Sequence, residues 1–214
     1  MTAQANRKTQ AERRSESERG LVKAAIDVIA NEGVGAVTFE ALGRNSGFSR
    51  GLATQRFGSK QGLIEAVMSH LHERQELRVL ADHSLDALPG LDAVLTYVDV
   101  CLRDLAVSGE ARAYFMLLSS AVAEADGARS AFFRETHAGV EAKLSAWVLK
   151  GKAEGTIRPD VDPSATALMI GCMMFGMSMQ LLVDPAMDME PIRKMSLSTI
   201  RASLGAATAN GDAP

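Results

Sequence analysis

Apolar residues recur along this chain at helical spacing. In ERGLVKAAIDVIANEG, residues Leu21, Ala24, Ala25, Val28 and Ile29 stand at i, i+3, i+4, i+7 and i+8, one stripe of a helix. Gly33, after Asn31-Glu32, supplies a C-terminal stop. Thr38 precedes FEALGRNS in the N-cap position of a short second helix whose Phe39 and Leu42 face the first. Asn45-Ser46-Gly47 is turn-prone and tolerates a left-handed backbone. Ser49 caps a third helix from Arg50 to about Arg56. Gly58 breaks it, and Ser59 caps a long fourth helix through LIEAVMSHLHERQEL. Further periodic segments lie at about 91–107, 111–124, 128–154, 163–183 and 190–205, separated by Gly, Pro, Ser and Asp breakers. Sustained alternation with β-branched enrichment is absent. The pattern predicts an all-α protein of about nine helices.

Charge divides the chain. Residues 1–63 carry ten Lys/Arg against six Asp/Glu, whereas the remaining residues carry thirteen against twenty. Such asymmetry suggests two functional parts. The expected organisation is a flexible basic arm over 1–14, a small domain over 15–63, a larger helical domain over 64–208 and a flexible tail over 209–214. Arg44, Arg50, Arg56 and Lys60 follow one another between Glu40 and Glu65 with no acid among them. Cys101 and Cys172 each lie in an apolar run, which fits buried reduced thiols in a cytoplasmic protein. His70, His72, His83 and His137 have no partner at i+4 and no CxxC occurs, so neither a metal site nor a cofactor is expected. The polar N-terminus does not read as a signal peptide. PSATALMIGCMMFGMSMQLLV, residues 163–183, is uncharged and long enough to span a bilayer. Its flanking Asp162 and Asp184, its Ser, Thr, Gly and Gln content and its lack of anchoring aromatics favour a helix buried on all sides within protein, and no membrane partner is expected.

GFSRG, residues 47–51, matches the G-x-S-x-G nucleophile elbow of serine hydrolases. An elbow requires a buried strand feeding into Gly47, yet the preceding residues are capped and spaced as a helix. No oxyanion loop or parallel sheet is found to support it. A helix-turn-helix uses more of the sequence: two short helices joined by a glycine-containing turn, the second bearing small and polar residues that fit a major groove. Leu52 and Phe57 face inward with Phe48, leaving Arg50, Gly51, Thr54 and Gln55 outward. Gln55 can bond a base edge bidentately, Thr54 can offer its hydroxyl or methyl, and Gly51 permits close backbone approach. Lys60, beside the Ser59 cap, sits at the positive end of a helix dipole, normally unfavourable by ~0.3–1 kcal/mol. A phosphate bound there reverses that sign.

Residues 19–67, including AAIDVIANEGVGAVTFEALGRNSGFSRGLATQRFGSKQGLIEAV, resemble the DNA-binding domain of TetR-family transcriptional regulators. The order of Gly33, Thr38, Gly47-x-Ser49, Gly51, Phe57 and Ser59-Lys60 carries the resemblance. Thr54 departs from it, because an aromatic commonly occupies that position, so that aromatic's phosphate contact is not carried over. The resemblance implies a homodimer formed by the last two helices, a small-molecule effector bound among the central helices, and double-stranded DNA as partner. Arg44, Arg50, Arg56 and Lys60 with the cap hydroxyls of Thr38 and Ser49 are the expected phosphate contacts, and Thr54 and Gln55 the base readers. Repression relieved by ligand is the family's usual outcome.

The C-terminal part fits this on its own terms. A helix apolar all round needs neighbours all round. Ala167 and Gly171, with Gly176 beyond, let a second backbone approach, and Ile192, Met195, Ile200 and Leu204 form the apolar set of the last helix. With Phe175 these are the expected dimer contacts, in a four-helix interface. Five of the eleven methionines lie within 169–179 and could line an adaptable cavity or pack a core. Phe115, His137, Trp147 and Met173 are candidate effector contacts, and the scarcity of clustered cations over 91–150 favours a lipophilic or aromatic ligand. The alternative is a helical ligand-binding or adaptor protein whose basic N-terminal segment meets an acidic protein.

Overall fold

Thr9 opens the first helix with a reciprocal cap: its hydroxyl accepts the Glu12 N–H, while the Glu12 carboxylate accepts the Thr9 N–H. The computed structural model describes residues 9–80 and 84–206. Helix α1 runs Gln10–Glu32, so residues 10–14, expected in a flexible arm, are helical because this capping box fixes the start of the helix ahead of the apolar stripe. Arm residues 1–8, tail residues 209–214 and His83 lie outside the described residues. After Gly33 and a 3-10 turn at Val34–Ala36 come α2 (Phe39–Ser46), α3 (Arg50–Phe57) and α4 (Lys60–Leu80). The rest of the chain folds as α5 (Ser84–Ala87), α6 (Gly90–Val107), α7 (Gly109–Ala123), α8 (Gly127–Glu154), α9 (Pro163–Val183) and α10 (Met189–Leu204). Among the described residues the only β pairing is an isolated antiparallel bridge between Ile157 and Gly205.

The chain divides into two units, one ending at Arg74 and one beginning at Gln75. The division falls within α4 rather than after residue 63. The apolar positions of α4 explain this, since Leu63, Ile64, Val67, Met68 and Leu71 are all buried on the N-terminal side of the boundary. In the first unit α2 packs on α1 and α3 on α2. Leu21, Ala25, Val28 and Ile29 of α1 are buried, as are Leu42 of α2 and Ala53 of α3. Each Leu or Ile withdrawn in this way contributes roughly 1.5–3 kcal/mol.

In the second unit α6, α8, α9 and α10 share one core, with Val94, Val98 and Leu102 facing Leu144, Trp147 and Val148, and Ala167, Ile170, Ile200 and Leu204 completing it. Helix α7 packs on α8 and α9. Helix α5, which the periodicity did not mark, is too short for a period and is tied to α8 instead: the Trp147 indole N–H donates to the Asp86 carboxylate at 2.8 Å, and the Lys150 ammonium donates to the Asp86 and Leu88 carbonyls.

Candidate nucleic-acid interface

Helix α2 begins where Thr38 accepts the Ala41 N–H on its hydroxyl at 3.1 Å, and it ends at Gly47, whose φ of 72° is the left-handed turn conformation. The chain then extends through Phe48, whose ring lies against Gly20 of α1 so closely that a Cβ there would stand 2.6 Å from the ring edge. Phe48 thereby anchors the turn to α1. Ser49 follows as the cap of α3, its hydroxyl accepting the Leu52 N–H at 3.2 Å. What precedes Ser49 is thus helix and turn, not the strand that a nucleophile elbow needs.

The α3 backbone turns Ala53 inward with 1% exposure, while Leu52 and Phe57 are half-buried. Arg50, Gly51, Thr54 and Gln55 are exposed, as are Thr38, Arg44, Ser49 and Lys60. Space is open at the Gly51 Cα, where the nearest atom to an added Cβ is the Ser49 hydroxyl at 3.9 Å. The Thr54 hydroxyl donates to the Arg50 carbonyl at 3.1 Å, which leaves its methyl and an oxygen lone pair for an outside partner. Arg56 is half-buried, and its Nε is shielded from solvent with no hydrogen-bond partner.

Gly58 turns the chain sharply into α4. Its φ of 71° and ψ of −50°, with the Ser59 N–H donating to the Phe57 carbonyl at 2.7 Å, form a γ-turn. Ser59 then caps α4 by accepting the Gly62 N–H at 3.1 Å. The Lys60 ammonium donates to the Gly35 carbonyl at 3.2 Å, tying the start of α4 to the 3-10 turn ahead of α2. That bond uses one of three ammonium donors.

One ion pair has no sign in the linear pattern. Glu40, in the first turn of α2, reaches Arg50 at the start of α3 at 2.6 Å. The acid that bounds the basic run folds back onto its second cation.

Among the described residues, Phe115 and His137 line different clefts, and Trp147 belongs to the core with Met173 packed against it. Phe115 lines a cleft of about 210 Å³ with Leu105, Val107, Arg112, Leu181 and Leu182. His137 lines another of about 360 Å³ with Leu118, Phe133, Arg134 and Glu141. The His137 Nε2 and the Tyr114 hydroxyl are hydrogen-bonded at 3.1 Å; burial lowers the imidazole pKa, with Glu141 acting in the opposite sense. Trp147 is 3% exposed and belongs to the core, its polar edge satisfied by Asp86, and Met173 packs against the same core. Tyr114, which the sequence did not single out, joins these elements through edge-to-face contacts with Phe115 and Phe133.

Helix α9 is not buried on all sides of this chain. Thr166, Ala167, Ile170, Met177 and Leu181 face the core, while Leu168, Met169 and Phe175 are 55%, 48% and 40% exposed. Gly171 and Gly176 lie on the exposed side, with nothing within 4 Å of an added Cβ. By length and composition α9 could cross a bilayer, but its inward face is committed to the core. On α10 the expected contacts separate. Ile192, Ile200 and Leu204 stand eight and four residues apart and so share the inward face; Ile200 and Leu204 are buried in this chain's own core and Ile192 is packed against it. Met195 points away, 67% exposed. Ala167, Ile200 and Leu204 are therefore core residues of the single chain, not part of its exposed face.

Residues 21–67 match the family model described as bacterial regulatory proteins, tetR family. No curated protein matches the chain. Solved structures share the fold. A TetR transcriptional regulator from Chloroflexus aurantiacus is 20% identical with a TM-score of 0.75, over 91% of this chain and 99% of that one. The ketosteroid transcriptional regulator of Mycobacterium tuberculosis is 15% identical with a TM-score of 0.68, over 94% and 97%. AibR, solved with isovaleryl coenzyme A and operator DNA, is 16% identical with a TM-score of 0.69, over 85% and 96%.

Proposed function

We propose that this chain, a TetR-family transcriptional regulator by its helix-turn-helix, is a homodimeric cytoplasmic repressor that holds a palindromic operator until a small effector releases it. The observation that carries the reading is the exposed surface on and beside α3, where Arg50, Gly51, Thr54 and Gln55 stand clear while Ala53 fastens the helix inside. A helix so fastened can enter a major groove. Thr54 and Gln55 read base edges there, while Arg44, Arg50, Arg56, Lys60 and the hydroxyls of the caps Thr38 and Ser49 hold phosphates. Arg56 has its Nε shielded from solvent, which leaves the two terminal nitrogens of its guanidinium as donors to a phosphate.

Dimerisation uses the exposed faces of α9 and α10. Leu168, Met169, Phe175 and Met195 supply the apolar area, and Gly171 and Gly176 leave room for a second helix. The two recognition helices then meet successive major grooves about 34–36 Å apart. A lipophilic or aromatic effector in the second unit shifts α4, which begins at Lys60 and continues to Leu80, and so alters the spacing of the two readers. Coupling of this kind is typically ~1–3 kcal/mol. The related structures support a small-molecule effector: one is named for ketosteroid, and another holds an acyl coenzyme A together with operator DNA.

Titration of duplex DNA at increasing salt tests the phosphate-binding role of Lys60. Lys60→Ala is expected to weaken binding evenly across sequences and to flatten the plot of log affinity against log salt by ~0.9 for each phosphate no longer neutralised. An unchanged slope would remove Lys60 from the interface.

A further inference from the structure

A guanidinium on a DNA-reading surface can hold a phosphate or read a base, and its immediate neighbours decide between the two. The Nη1 of Arg50 lies 2.6 Å from the Glu40 carboxylate, an ion pair that bridges the first turns of α2 and α3. Both side chains are open to solvent, 71% and 52% exposed, so in the free protein the pair adds little to stability. Its effect belongs to the docked state, where water leaves the groove and charges act on one another more strongly.

A phosphate brought to Arg50 also meets the Glu40 charge, so the near-neutral pair gains little from it. The edge of a guanine is different. It offers two neutral acceptors, O6 and N7, and takes a guanidinium bidentately. Arginine has five donors in a rigid fork, so the Nη1 bond to Glu40 leaves the rest of the fork available and limits the directions in which it can point. Gly51, the next residue, has no side chain and open space beside it, which lets this end of α3 come close to the base pairs. The Thr54 hydroxyl is bonded to the Arg50 carbonyl and steadies the same turn.

We infer that Arg50 reads a guanine, with Glu40 as the positioning residue that turns it away from the phosphate backbone. The inference rests on the DNA-reading function proposed above and revises one part of it, because Arg50 moves from the phosphate set to the base-reading set. Glu40 is then a determinant of specificity with no need to touch DNA itself.

The test uses the full-length protein, the duplex it selects from a random pool, and the same duplex with each base pair replaced in turn. Affinity is measured over a range of salt for the wild type, Arg50→Ala, Arg50→Lys and Glu40→Gln. Arg50→Ala and Arg50→Lys are expected to erase a preference for one G·C pair per half-site, about five- to 150-fold in the wild type, and to leave the salt slope unchanged. Glu40→Gln is expected to weaken the same preference and to steepen the slope by ~0.9 per half-site, as the released guanidinium takes a phosphate. Arg50→Ala that weakens all duplexes equally and flattens the slope assigns Arg50 to a phosphate and overturns the inference. Glu40→Gln that changes neither quantity also overturns it, leaving only a surface ion pair. A wild type that selects no sequence removes the DNA-reading function itself, an outcome distinct from either of these.

Discussion

Gly51 has open space where a side chain would begin, so folding places no demand for glycine there. Alanine is the better helix former by ~0.8–1 kcal/mol, and Gly51→Ala should leave the thermal midpoint unchanged or raise it. If α3 approaches base pairs at this point, the same change should weaken binding to the selected duplex. Thermal unfolding and a DNA titration of one preparation measure both, and unchanged affinity would argue against close approach. Single residues were legible in the sequence wherever their chemistry is local. The caps Thr38, Ser49 and Ser59 bond amides three residues ahead, a relation that a linear pattern can display. Glu40 and Arg50 meet only because the turn at Gly47 folds α3 back, and spacing alone carried no sign of the pair. The shielding of the Arg56 Nε depends likewise on the packing around it.

At the scale of elements, the apolar period located nearly every helix because each has one face committed to a core. Helix α5 was missed, since four residues complete barely one turn and its place is set by Asp86 and Leu85. The faces of α9 and α10 were harder to assign. An apolar residue every fourth position reads the same whether it meets its own core or a second copy, and Ile200 and Leu204 meet their own core. The γ-turn at Gly58 is an element with a sharp requirement. It joins the recognition helix to α4 at a backbone conformation that a side chain resists, with φ of 71° and ψ of −50°. Gly58→Ala should destabilise the first unit by ~1–3 kcal/mol, read as a lower denaturant midpoint with little change in the slope of the transition. An unchanged midpoint would mean that the turn relaxes without cost.

At the scale of the whole molecule, a DNA reader capable of recognising a palindrome needs two copies of α3, and this chain has one. The surface proposed to bring the second copy carries Leu168, Met169, Phe175 and Met195 in the open, an apolar area that water penalises in a lone chain. Phe175→Arg places a charge on that face without touching the buried Ala167 and Ile170 beside it. Sedimentation should show the variant shifting from a dimer towards a single chain, with helical content retained; a wild type that sediments as a single chain would remove this interface. The charge division seen in the sequence also acts at this scale, with cations in excess over residues 1–63, where the proposed DNA surface lies, and acids in excess over the rest. The general architecture was legible because charge and period both survive in the linear order. Which clefts are open was not, because Phe115 and His137 line different clefts once α7 and α8 are packed. The most direct measurement is the set of sequences recovered when the full-length protein selects from a pool of random duplex DNA. The expected result is one enriched approximate palindrome, its half-sites centred about one helical turn or a multiple of it apart. A pool that remains random after repeated selection would contradict a DNA-reading function and favour an adaptor whose basic surface meets an acidic protein.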